Sequence, residues 1–242
     1  MTRPLTGTAL ATTLLCLPLV AFAADPVLPT FDAAAFTAGV ANPYVPLDPG
    51  YSTTMLGTAE DGTIEKDQAT VKGPGPKIMG VATTTVQDDA FAGDRLVERT
   101  FDYFATDADG NLWYFGEDVT NYTYDDAGNE TGTNTKSSWR AGVDGAVPGV
   151  AVPARPVVGD VQFQEHAPAN DATDYAEVIA VDAVVTVAGR EYRDVLKLFE
   201  ASTSEPDLRE FKYFAKGVGL ILAEEELSVA RDAPEMVLEL QP

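Results

Sequence analysis

The chain has 242 residues, with 16 basic and 38 acidic side chains, a formal net charge of −22 and a single cysteine. A field of that sign repels nucleic acid and anionic membrane surfaces; it serves solubility, and it favours a small ligand, a cation or a basic protein as partner. Cys16 lies in the first, apolar stretch, so a chain that loses that stretch has no disulfide, no cysteine nucleophile and no thiolate metal site.

The first residues read as an export signal. Arg3 is the only charge before an uncharged run from Leu5 to Phe22, and Ala21-Phe22-Ala23 has the small-x-small pattern that places cleavage after Ala23. The apolar core, Ala9–Leu19, is shorter than the roughly 20 residues a membrane-spanning helix needs, and Pro18 sits near its end. Lipid attachment at Cys16 is disfavoured by bulky Leu15 and by the apolar residues beyond the cysteine. The expectation is residues 1–23 as signal peptide, a mature protein exported to the periplasm or the extracellular medium, and no transmembrane span in the mature chain. With 15 basic residues left against 38 acidic ones, that mature chain carries −23.

Residues 24–50 are rich in Pro and Ala, with one short helical turn at Phe31–Phe36, and read as an extended segment that packs on the remainder of the chain. From Tyr51 the apolar pattern takes a period of two. Thr83–Gln87 is β-branched, and in Leu96–Ala105 the residues Val97, Phe101 and Tyr103 alternate with Glu98, Thr100 and Asp102. Asp107-Ala108-Asp109-Gly110-Asn111 turns the chain into a strand at Leu112–Phe115, and Val119–Tyr124 comes next. Ala141–Pro156 is dense in Gly and Pro and reads as an irregular crossing loop. Strands are then expected at Val161–His166, Tyr175–Val187, Tyr192–Ala201, Arg209–Ala215 and Val218–Glu226, with an edge strand at Met236–Leu240. No window has a sustained helical period. The fold class is therefore all-β with minor helix: a single antiparallel domain over residues 51–242, built as a curved sheet, half-barrel or barrel.

Five motifs occur in order: Asn42-Pro43-Tyr44-Val45-Pro46-Leu47-Asp48-Pro49-Gly50; Trp113-Tyr114-Phe115-Gly116-Glu117-Asp118; Ser138-Trp139-Arg140-Ala141-Gly142-Val143-Asp144-Gly145-Ala146; Gln164-Glu165-His166; and Lys212-Tyr213-Phe214-Ala215-Lys216-Gly217-Val218-Gly219. This order resembles an uncharacterised family of secreted or lipoprotein bacterial proteins, and its last motif is similar to the ending of TapB-like lipoprotein domains. The resemblance implies a sheet curved around a concave face and no particular chemistry. His166 departs from it, standing where Tyr is expected.

Catalytic motifs are scarce. His166 is the only histidine, no Gly-x-Ser-x-Gly elbow is present, and neither zinc-binding nor phosphate-binding spacing occurs. Asp107, Asp109, Asn111 and Asp118 fall at calcium-loop positions 1, 3, 5 and 12, but the glycine is misplaced and turn chemistry accounts for each residue, so calcium stays a secondary expectation. Trp113, Tyr114, Phe115, Trp139, Tyr175, Tyr192, Phe211 and Tyr213 read mainly as sheet core. What core packing leaves unexplained are acids beside these aromatics. Glu117, Asp118, Trp139, Glu165, His166, Asp174 and Glu177 are accordingly expected to line one polar-aromatic ligand site. Glu165 is in phase with Val161 and Phe163; if these face the core it needs a partner, and Arg140, Lys212 or a bound cation are the candidates. His166 joins only if the strand bends. The leading functional expectation is a non-enzymatic binding or envelope protein without a cofactor, ahead of a hydrolase or isomerase using two of these carboxylates and of a calcium- or cation-binding protein.

Overall fold

The structure, a computed structural model, describes residues 25–37 and 39–242. The export signal, its cleavage point and Cys16 lie outside the described residues.

Fifteen strands are present among these residues. They are β1 Ser52–Thr58, β2 Ile64–Ile78, β3 Val81–Ala92, β4 Arg95–Thr106, β5 Leu112–Tyr124, β6 Glu130–Asn134, β7 Trp139–Arg140, β8 Val147–Val152, β9 Val161–Phe163, β10 Glu165–His166, β11 Asp174–Val187, β12 Arg190–Ser202, β13 Arg209–Ala215, β14 Gly219–Glu225 and β15 Met236–Leu240. All strand pairings are antiparallel, in the order β10-β8-β5-β4-β3-β2-β1-β15-β14-β13-β12-β11-β9, with β6 and β7 added on β5. Only Gln164 separates β9, which pairs with β11, from β10, which pairs with β8. The two ends of the order therefore meet, and the sheet forms a nearly closed antiparallel barrel.

Two sequence expectations are corrected. Met236–Leu240 is not an edge strand. It lies between β1 and β14 and joins the two halves of the sheet, with Leu238 buried against Met55 of β1 and Ala223 of β14. The Gly/Pro-rich stretch from Ala141 to Pro156 is not wholly irregular, for it contains β8. Gly149 is required inside β8: a Cβ there would stand 2.4 Å from the Phe163 carbonyl oxygen, so only glycine lets β8 approach the strand that closes the barrel.

Both faces of the sheet are covered. On the outer face Trp113, Phe115, Tyr103 and Ala105 are buried beneath Phe31 and Phe36 of the N-terminal segment, which meet Trp113 and Phe115 edge-on at ring-centroid distances of 5.3–6.2 Å. A turn at Ala33–Ala35 sets the two phenylalanines, with Asp32 accepting from the Ala34 N–H at 2.9 Å. On β12, Val195, Phe199 and Ala201 belong to a second cluster with Phe211, Tyr213 and Ile221. The inner face carries Leu112, Val152, Ala176, Val178, Leu196, Leu198 and Phe214, against which Tyr44 packs. Asn42 holds that segment in place: its Oδ1 accepts from the Tyr44 and Val45 N–H groups, and its Nδ2 donates to the Gly110 and Val152 carbonyls.

Candidate functional site: an acidic chamber inside the barrel

Beside the apolar inner layer, the same strands turn carboxylates inward. On β4 the alternation that puts Tyr103 and Ala105 outside puts Asp102 and Phe104 inside, and Phe104 pairs with Tyr114 of β5. Two residues further along β5 the register slips. Asp102 faces Glu117 rather than Gly116, because Gly116 forms a bulge with φ +124°. A Cβ on Gly116 would lie 2.4 Å from the Trp139 carbonyl oxygen. The bulge flips the parity of β5, so that Glu117 follows Tyr114 inward while Asp118 faces out.

A chamber of about 280 Å³ opens among these strands. Its polar wall is Asp102, Tyr114, Gln164, Glu165, Asp174, Glu200 and Lys212, and its apolar wall includes Phe104, Leu112 and Phe214. Tyr114 stacks on Phe104 at 4.9 Å and meets Trp139 edge-on at 5.4 Å. The Tyr114 hydroxyl donates to Asp102 Oδ1 at 2.6 Å. Lys212 donates to Glu200 at 2.8 Å and lies 3.0 Å from Glu210, and Gln164 Nε2 donates to Glu200 at 2.9 Å.

Burial, followed by neighbouring negative charge, pushes the carboxyls up. Glu117 rises to about 8 through burial and Asp102. Asp102 rises to about 6 through burial, against the Tyr114 hydrogen bond. Burial and then Asp174, Glu117 and Asp102 hold Glu165 well above the usual carboxylate range. Asp174 and Glu200 are raised chiefly by burial. Burial would lower Lys212, but Glu200 and Glu210 outweigh it and hold the ammonium well above its ordinary value.

Glu165 is the exceptional group. It is 8% exposed, and its Oε2 is buried with no hydrogen-bond partner among the described residues. Arg140 is committed to Asp118 at 2.6 Å and Lys212 to Glu200 and Glu210, so neither pairs with Glu165. The Trp139 indole is near enough to favour the charged form of Glu165, yet its Nε1 completes no hydrogen bond either.

The structure divides the seven residues singled out in the sequence. Glu117, Trp139, Glu165 and Asp174 are on the inner side, with Glu165 and Asp174 in the chamber wall itself. Asp118 is on the outside, accepting from Tyr103 at 2.7 Å and pairing with Arg140. Glu177 is paired outside with Arg231 at 2.9 Å. His166 faces away, packed edge-on against Phe163 at 5.0 Å. The chain does bend between β9 and β10, but the bend carries Gln164 and Glu165 inward and leaves His166 out. Asp102, Glu200 and Lys212 complete the chamber; of these, the sequence singles out only Lys212, as a partner for Glu165. The available signal is acids alternating with aromatics on successive strands in a chain poor in bases.

The calcium-loop residues have protein partners. Asp107 accepts from the N–H groups of Asp109 and Asn111, from Asn111 Nδ2 and from Trp113 Nε1, while Asp109 pairs with Arg155.

No protein-family model matches the chain, and no curated protein matches it. Among solved structures, a "putative lipoprotein" from Parabacteroides distasonis is similar over 83% of this chain and 97% of its own, at 9% identity and a TM-score of 0.43. A likeness that distant carries no conclusion about this chain, and the family resemblance drawn from the motifs remains an expectation.

Proposed function

We propose that this is an exported, extracytoplasmic binding protein that performs no catalysis and holds a small molecule in the chamber inside its barrel. The observation that carries this reading is Glu165, a buried carboxyl with one oxygen unpartnered among the described residues, in the lining of a cavity that opens among the strands. An unsatisfied buried polar atom costs about 1–3 kcal/mol, and a group of this kind is expected where a ligand completes its hydrogen bonds. Aromatic walls with a few convergent polar groups are the usual make-up of small-molecule pockets. The hydrolase or isomerase alternative would draw on Glu165 and Asp174, the two of its candidate carboxyls in the chamber wall, but burial raises the proton affinity of both, so the pair is not set apart into an acid and an ionised base.

Ligand-observed NMR with a fragment set containing cations, neutral molecules and anions tests the reading. Fragments that bind should lose their signal change in Ala151→Leu, which narrows the chamber from β8. A set in which no fragment is sensitive to that substitution would overturn it.

A further inference from the structure

We infer that the ligand of this chamber is a small primary alkylammonium ion. The inference rests on the reading of the chamber as a ligand site and adds the chemical class.

Charge comes first. The ionisable side chains facing the chamber are Asp102 and Tyr114 from β4 and β5, Glu165 from β10, Asp174 from β11, Glu200 from β12 and Lys212 from β13, with Glu117 adjoining. Lys212 is the only base, and it is held by Glu200 and Glu210. Asp102 is met by one hydroxyl, and Glu165 Oε2 by nothing among the described residues. Three wall carboxyls, Asp102, Glu165 and Asp174, are thus left without a cationic partner, although a buried carboxylate is stable only when paired. The missing component is positive.

Hydrogen bonding narrows the class. An ionised carboxylate only accepts, so an anion or an acceptor-only ligand leaves Glu165 as it was. A quaternary ammonium has no N–H to give. A primary ammonium brings three donors and forms short, charge-assisted bonds to carboxylate oxygens. The apolar wall suits the remainder of such a molecule: Phe104, Leu112 and Phe214 can cover a short alkyl stem.

Size and geometry point the same way. About 280 Å³ lies at the lower limit of ordinary ligand pockets, which span roughly 300–1,000 Å³, so the guest has few heavy atoms. Among the described residues no three His, Cys, Asp or Glu side chains converge closely enough to hold a metal ion. The carboxyls are spread around a cavity as an organic cation requires, rather than gathered on a point. Burial and neighbouring acids raise the proton affinity of Glu165, and burial that of Asp174, and an arriving ammonium acts in the opposite direction, favouring the charged carboxylates.

The test is isothermal titration of the purified protein with n-propylammonium, 1-propanol, propionate, tetramethylammonium and calcium, in two buffers of different ionisation heat. Propylammonium should bind about tenfold or more tightly than its neutral, anionic and quaternary counterparts, since a hydrogen bond between charged groups is at stake. Binding should release protons, weaken as pH falls, and weaken about tenfold or more in Glu165→Gln. Asp174→Asn gives the same comparison should the first variant fold poorly. Propylammonium binding no tighter than 1-propanol, unaffected by either substitution, or replaced by tight calcium binding overturns the ammonium assignment. Neutral or anionic fragments that bind and are lost in Ala151→Leu would do so while leaving the chamber a ligand site; absence of any chamber-sensitive binder overturns both readings.

Discussion

Asp102 on β4 stands directly across from Glu117 on β5, two acids at a paired position inside the barrel. Like charges so placed repel, and burial adds to the cost of ionising either one. The consequence is a pH dependence of stability with a definite sign. An unfolded carboxyl ionises near its ordinary value of about 4, whereas folded Asp102 holds its proton to about 6, Asp88 and Glu225 to about 7 and Glu117 to about 8. Between these limits the folded state binds more protons than the unfolded chain, so stability is highest in mild acid and falls as pH rises. Scanning calorimetry should show a melting temperature that declines from about pH 5 to about pH 8. Glu117→Gln should flatten the decline and gain about 1–3 kcal/mol at the alkaline end. In stronger acid the trend reverses, because Arg99 lowers the proton affinity of Asp89 and the stability from that pair is lost as Asp89 protonates.

Lys212 is the one base lining the chamber among the described residues. Lys212→Met leaves Glu200 and Glu210 opposite each other without it. A broken buried pair costs about 3–5 kcal/mol, and here about 2–4 is expected because 28% of the lysine side chain is accessible. Chemical denaturation reads the loss. Adding Glu200→Gln and Glu210→Gln should restore most of it, and a Lys212→Met protein as stable as wild type would show that the acids are neutral without the ammonium.

Gly116 is required twice, by its φ of +124° and because a Cβ there would stand 2.4 Å from the Trp139 carbonyl oxygen. Gly116→Ala should cost about 2–4 kcal/mol in urea denaturation, a sum of backbone strain and steric displacement of β7. A change of a few tenths would mean that β5 can carry the inward turn of Glu117 without the bulge.

Asp107 satisfies four donors in a buried turn. Asp107→Ala should lower stability by about 2–4 kcal/mol, because several buried donors lose their acceptor together. The same partners leave its oxygens no free bonding capacity. Added calcium and chelator should therefore leave the wild-type melting temperature unchanged, and a rise with calcium would return this loop to consideration as a metal site.

The strands around these sites were legible because turn chemistry and alternation are local. Leu96–Ala105 and Leu112–Phe115 are where the period of two placed them, and Trp113 and Phe115 do share a face. Which face is interior was not legible. Alternation identifies an inside only when the other side meets water, and here Phe31 and Phe36 cover the outer aromatics. Asp102 and Lys212 thus look in the sequence like the solvent side of amphipathic strands. The bulge at Gly116 was invisible because it depends on Trp139, more than twenty residues away, and without it Glu117 and Asp118 exchange faces. Glu165 was expected inward by phase with Phe163. It is inward through the bend at Gln164 instead, with Phe163 packed on His166.

The most direct test is a crystal structure of the protein purified from its native host without added amines, refined to a resolution that separates water from a small organic molecule. The account predicts density for a compact molecule in the chamber, with a nitrogen within about 3 Å of Glu165 Oε2. A chamber holding only water, with Glu165 turned to accept from Trp139 Nε1, would contradict it.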